Sequence, residues 1–245
     1  MADAGVDLTY LRRSEHTSTG CGFVMINPDG IPAMTTAMGA NAELSPADID
    51  SAEGILSKAK LVLITFEIPV ATALYAARRA KELGAFTILT PGPAEPLPRE
   101  ALAGVDLVVP NENEAKTLLG PLSNQTESPA QLAERLRMYF GVQQVAMTLG
   151  ERGVLLENGE GHHLVPALRV NVVDTPGAGD AFTAGLAFGL FQSSPLVEAA
   201  RFGCLTAARS VTVRESIPGF GTLAEIRAFA KQNGFENPLM ERKIV

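Results

Sequence analysis

The chain has two cysteines, Cys21 and Cys204, far apart and without metal-ligand spacing. That scarcity excludes a disulfide-held scaffold and a thiolate metal centre, and it fits free thiols in a reducing compartment. Basic runs are missing too. The 20 Lys and Arg are scattered among 27 Asp and Glu, for a formal net charge of −7. This argues against a nucleic-acid or anionic-membrane partner, so any phosphate must be held locally. No apolar stretch is built to cross a bilayer: the longest, residues 61–77, is interrupted by Glu67 and Pro69, which are awkward at membrane depth. The opening Met1-Ala2-Asp3-Ala4 is acidic and lacks the apolar segment of a secretory signal. Repeats, low-complexity tracts and a long charged tail are also absent. A cytoplasmic protein is the expectation.

What the chain does have is core-forming material. At 46% hydrophobic and 19% charged over 245 residues, it can bury a sizeable core as one α/β domain spanning 1–245. Strand-length apolar runs alternate with helical patterns, which predicts βαβ units and a mainly parallel sheet. Residues 23–26 and 31–36 flank Asn27-Pro28-Asp29-Gly30, a hairpin turn signal. Ser45 as N-cap with Pro46 behind it opens a helix to about Ser57. Buried strands are expected at 61–64 and 86–89, with a helix from Pro69 to Leu83 ended by Gly84. Residues 107–109 and 145–148 continue the sheet. Helices follow at 178–191, 195–210 and 222–231, and His162 and His163 fall on a turn after Asn158-Gly159. Glu67, Thr90, Asn111, Glu114 and Thr148 each sit just after a strand-like run, so one crevice beyond the strand ends can gather them.

The most specific string is Asp174-Thr175-Pro176-Gly177-Ala178-Gly179-Asp180-Ala181-Phe182-Thr183-Ala184-Gly185-Leu186. Gly177, Ala178 and Gly179 let backbone N–H groups turn inward, and the helix behind them adds the positive end of its dipole. Such a turn can stabilise a migrating phosphoryl group. Asp180, in the first turn of that helix, is placed to take a proton from an attacking hydroxyl. A capped helix after a Gly-rich turn is the plainer alternative for the tetrapeptide alone.

The longer string resembles the second signature of the PfkB, or ribokinase-like, carbohydrate kinases, and four further segments resemble the ribokinase branch in the same order. Gly39-Ala40-Asn41-Ala42-Glu43-Leu44-Ser45-Pro46 is similar to its GANxxLSP segment, and Thr90-Pro91-Gly92-Pro93-Ala94 to its NPAPA turn, with Thr90 in place of Asn. Val109-Pro110-Asn111-Glu112-Asn113-Glu114-Ala115 resembles PNExEA, and Thr148-Leu149-Gly150-Glu151-Arg152-Gly153 resembles TLGxxG. The resemblance implies a three-layer α/β/α sandwich and ATP-dependent phosphorylation of a sugar, D-ribose first, with fructose, a 2-keto-3-deoxy sugar acid or a nucleoside as alternatives. It also implies an incomplete N-terminus. Family members begin with a strand carrying a substrate contact, then lid strands and a Gly-Gly sugar-binding segment, all of which would precede Met1. Weak or no ribose turnover by the chain as given is therefore expected, and a nucleotide-binding remnant is the reading from another class.

The same resemblance assigns roles by position. Asp180 is the base, with the amides of Gly177, Ala178, Gly179 and Asp180 as the anion hole, and Glu67 binds sugar hydroxyls. Asn111 and Glu114, which also read as an N-cap and capping box, serve the phosphates and Mg²⁺, Glu114 through water. Thr148, Leu149, Gly150, Glu151, Arg152 and Gly153 border ATP, and Cys204 takes a position that faces adenine in the family, although a small buried thiol is the plainer reading. A monovalent cation (K⁺) is implied at Asp174, Pro176, Ser210, Val213, Glu215 and Gly219, although the Gly-Ala pair expected around position 215 is missing. A sugar and ATP are the implied partners, with no nucleic acid and no membrane, and a homodimer is left open.

Overall fold

The computed structural model describes residues 4–26, 32–124 and 126–241. The chain first forms an antiparallel ribbon of β1 (Thr19–Ile26) and β2 (Pro32–Gly39), with Thr19 opposite Gly39 and Ile26 opposite Pro32. The Asn27–Gly30 turn that predicts this hairpin lies outside the described residues. Next come α1 (Pro46–Ser51) and α2 (Glu53–Leu56). The helix starts where Ser45 and Pro46 predict, with the Ser45 N–H on Asp48 Oδ2 at 2.9 Å. It breaks at Ala52, however, just before Gly54, a residue with poor helix propensity.

Six strands form the main sheet in the order of the chain: β3 (Leu61–Thr65), β4 (Phe86–Thr90), β5 (Leu107–Val108), β6 (Gln144–Thr148), β7 (Val154–Glu157) and β8 (His162–Val165). The first four are mutually parallel, and β7 and β8 add on antiparallel. His162 and His163 therefore lie in a strand, paired with Glu157 and Leu156, and not on a turn. The crossovers are α3 (Val70–Glu82) between β3 and β4, and α4 (Glu112–Leu119) and α5 (Pro129–Phe140) between β5 and β6. After β8 come α6 (Ala178–Phe191), α7 (Leu196–Ser210), α8 (Ser216–Phe220) and α9 (Leu223–Gln232).

Alternate side chains along β4 to β7 enter opposite cores, as a sheet covered on both faces requires. Leu89, Val108, Val145, Met147 and Leu155 join the cluster that contains Leu118, Leu132 and Leu136 of α4 and α5. Ile88, Leu107, Ala146, Val154 and Leu156 join Phe182, Leu186 and Ala199 of α6 and α7 on the other face. The result is the expected three-layer α/β/α sandwich. Helices α6 and α7 lie close because small residues line their contact: a Cβ on Gly189 would stand 2.6 Å from Ala199 Cα. Thr206 Oγ1 also donates to the Ala181 carbonyl at 2.7 Å. This clamp fixes the N-terminus of α6, with its Gly-rich turn, against the carboxyl ends of the strands.

Candidate active site

The parallel strands end together, and three of the four ends carry a threonine whose hydroxyl secures a neighbouring segment. Thr65 Oγ1 donates to the Gly92 carbonyl (3.2 Å), Thr90 Oγ1 to that of Ile64 (3.3 Å) and Thr148 Oγ1 to that of Pro110 (3.4 Å). Beyond them opens a cavity of about 520 Å³, the size of a small-molecule site. Glu67, Asn111, Glu114, Gly179 and Asp180 line it, and the ribbon contributes Cys21, Thr36 and Met38 from the opposite side. The sequence reading puts the family's lid ahead of residue 1, yet the chain has a two-stranded cover of its own here.

At the start of α4, Asn111 Oδ1 accepts from the Glu114 N–H at 2.9 Å, while Glu114 Oε2 accepts from the Asn111 N–H at 2.9 Å. The capping box read from the sequence is thus present, and it aims Glu114 at the cavity. Space for that carboxylate comes from Gly92, where a Cβ would lie 3.1 Å from Glu114 Oε1. Burial raises the Glu114 pKa, the Asn111 N–H opposes the rise, and the charge of Asp180 adds to it. Two carboxylates therefore face one cavity closely enough to feel each other.

Gly177 caps α6 with φ of +83°, a conformation that favours glycine. The Ala178 N–H is taken by the Thr175 carbonyl at 3.2 Å and the Ala181 N–H by that of Gly177 at 2.9 Å. Ala178 thus leaves the set of four expected anion-hole amides. Among the described residues, the Gly179 and Asp180 N–H groups have no acceptor, and both residues line the cavity. Neighbouring atoms exclude enough water to raise the Asp180 pKa, although its surface opens into the cavity.

Behind the turn runs a strap from the end of α7 through α8. Asp174 Oδ2 accepts from the Glu215 N–H (3.0 Å), the Pro176 carbonyl from Ser216 Oγ (3.1 Å) and the Gly219 carbonyl from Arg209 Nη1 (3.3 Å). The Ser210 carbonyl accepts from the Val213 N–H at 3.3 Å. Glu215 itself stands at φ +69°.

A family model described as pfkB family carbohydrate kinase matches residues 1–222. The chain belongs to that family. It is 31% identical to the Haemophilus influenzae ribokinase, over 89% of this chain and 72% of that protein. It is 32% identical to the Salmonella typhi deoxyribokinase, over 94% and 75% respectively. The Arabidopsis thaliana ribokinase solved with ribose and ATP superposes with a TM-score of 0.80 at 30% identity, over 95% of this chain and 74% of that one.

Against the roles that the family resemblance assigns, the cavity unites Glu67, Asn111, Glu114, Thr148, Gly179 and Asp180. Leu149 to Gly153 lie off its wall. Leu149 is buried and Gly150–Arg152 form a single helical turn, with Arg152 ion-paired to Glu112. Gly153 is packed so closely on residues 165–167 that a side chain would clash: its Cβ would meet Ala167 N at 2.6 Å. Cys204 packs in the core with Phe182, Leu186 and Ala200, away from the cavity, and burial pushes its thiol up to about 12. The plainer reading of that residue holds. Sequence reasoning missed the wall formed by Thr65, Thr183 and the ribbon. Gly20 and Gly22, small residues inside a strand, were the available signal of close approach.

Proposed function

We propose that the chain transfers the terminal phosphoryl group of ATP to the primary hydroxyl of D-ribose, giving ribose 5-phosphate and ADP. One observation carries the reading: a carboxylate, Asp180, shares a cavity wall with two backbone N–H groups that have no acceptor among the described residues, at the positive end of α6. Asp180 takes the hydroxyl proton as the sugar oxygen bonds to the γ-phosphorus and the bond to the ADP oxygen breaks. A raised pKa suits a group that must accept this proton. The Gly179 and Asp180 amides and the helix dipole meet the charge on the group in transit.

Glu67, exposed at the cavity wall, binds sugar hydroxyls, and Thr148, at the start of the 148–153 turn, borders the nucleotide. Glu114 and Asn111 supply hard oxygen donors at the same wall, the chemistry that Mg²⁺ prefers, and Glu114 would hold the ion through water. When bound, the ion offsets phosphate charge. The relatives named ribokinase and deoxyribokinase support a pentose acceptor. On this reading the chain works as one kinase domain in the cytoplasm on small molecules; among the described residues no helix is long and apolar enough to cross a membrane.

The test is ADP release measured side by side with ribose, 2-deoxyribose, fructose and inosine. The ribbon over the cavity supplies cover that the sequence reading places ahead of residue 1, so measurable turnover is expected in place of weak or none, with ribose giving the highest kcat/KM. A preference of tenfold or more for one of the others reassigns the acceptor, and release that no sugar stimulates refutes the transfer.

A further inference from the structure

Five of the six positions that the family resemblance assigns to a monovalent cation, all but Val213, have an oxygen engaged from within the protein. A cation of this class is held by several carbonyl oxygens that replace its water shell. Here the Pro176 carbonyl takes the Ser216 hydroxyl, the Ser210 carbonyl takes the Val213 N–H, and the Asp174 carboxylate takes the Glu215 N–H. A carbonyl has a second lone pair, so those bonds alone do not decide the matter. Charge does. The Gly219 carbonyl accepts from Arg209 Nη1 at 3.3 Å, so an ion on that oxygen would sit within a few ångströms of a permanent guanidinium charge.

Arg209 also has a carboxylate for a neighbour. Built onto Gly221, a Cβ would lie 3.7 Å from Arg209 Nη2 and 3.5 Å from Glu225 Oε2, so the guanidinium and that carboxylate flank one spot. The positive charge of Arg209 helps to lower the Glu225 pKa, after the bonds from Thr222. The strap so anchored presses on the anion turn. A Cβ on Gly177 would come within 2.9 Å of Ser216 Cβ and 3.0 Å of Phe220 Cε1. Glu215 keeps its left-handed φ of +69° because the bond to Asp174 and the start of α8 over-determine it.

We propose that Arg209 is the resident cation of this junction, a positioning residue that sets the strap and through it the anion turn, and that the protein needs no monovalent cation there. The catalytic half of the idea rests on the kinase reading above; the ion half does not.

The test compares thermal melting in KCl and in choline chloride at equal ionic strength, for the wild type and for Arg209→Met and Arg209→Lys. The wild type is expected to melt at the same temperature, within about 1 °C, in both salts. A potassium-specific rise of several degrees overturns the proposal whether or not the protein turns over sugar. In the ribose assay, Arg209→Met should lower kcat about tenfold with the KM for ATP little changed, and Arg209→Lys should recover most of the loss. Wild-type kcat in Arg209→Met also overturns the proposal. If no variant turns over, the kinase reading fails and the melting comparison still decides the ion.

Discussion

Replacing Gly177 and Gly179 in turn by alanine separates the support of the anion turn from its chemistry. Gly177 has φ of +83°, and forcing a side chain into the left-handed region costs about 1–2 kcal/mol. The added Cβ would also sit 2.9 Å from Ser216 Cβ and 3.0 Å from Phe220 Cε1. Overpacking of that kind costs about 1–3 kcal/mol. Together these give a loss of about 2–5 kcal/mol, or a melting point lower by about 4–20 °C in a chain of this size.

Gly179 is the reverse case. It lies in the first turn of α6 with nothing within 4 Å of its added Cβ, so alanine should stabilise the helix start by about 0.5 kcal/mol. Its methyl, however, enters the cavity beside the two amides without acceptors. If those amides stabilise the transferring group, losing their approach should lower kcat about 10²–10³-fold. Calorimetric melting with an ADP-release assay reads both effects. Gly179→Ala that keeps kcat within twofold of the wild type, or Gly177→Ala that melts like the wild type, refutes the reasoning.

Other expectations follow from the carboxylates and thiols. Burial raises the Asp180 and Glu114 pKa above the ordinary 3.8 and 4.5, so between those values and the raised ones the folded chain binds more protons than the unfolded chain. Stability contributed by these groups is therefore lost as pH rises through that window. Asp180→Asn and Glu114→Gln should melt at or above the wild-type temperature at pH 8, with the difference closing in acid; a lower melting point at pH 8 contradicts the sign. Turnover needs Asp180 ionised, so kcat should fall as pH drops through its raised pKa, and an acid limb at the ordinary aspartate value would show that burial does not govern the base. For the thiols, Cys21 is exposed and Cys204 buried. A thiol reagent should label one group per native chain and two in denaturant, and two labelled at the native rate would place Cys204 outside the core.

Much of the fold was legible because strand and helix periods differ and because start and stop residues punctuate them. The α6 helix begins and ends where the sequence places it, since Gly177 caps one end and the polar run after Phe191 stops the other. The hairpin was legible at its turn, but its position over the cavity was not, because Gly20 and Gly22 signal a close approach without saying which surface the ribbon will cover. The strand at His162–Val165 was missed because three of its four residues are exposed, leaving no apolar alternation to read. In the site, Asp180, Glu114 and Asn111 could be found because each terminates a strand-to-helix turn with a distinctive residue pattern. The burial of Cys204 needed the packed core, since a helix position states a face only once its neighbours are known. The engagement of Gly219 by Arg209 likewise depends on a tertiary contact between the end of a helix and the strap after it.

Mass-spectrometric detection of ribose 5-phosphate, formed from ATP and ribose by the purified chain and by Asp180→Asn, tests the central claim most directly when ATP affinity is measured on both by calorimetry. Product from the wild type, at least 10²-fold less from Asp180→Asn, and equal ATP affinities are expected if Asp180 is the base. Product at the wild-type rate from Asp180→Asn, or none from a wild type that binds both ATP and ribose, would contradict the account.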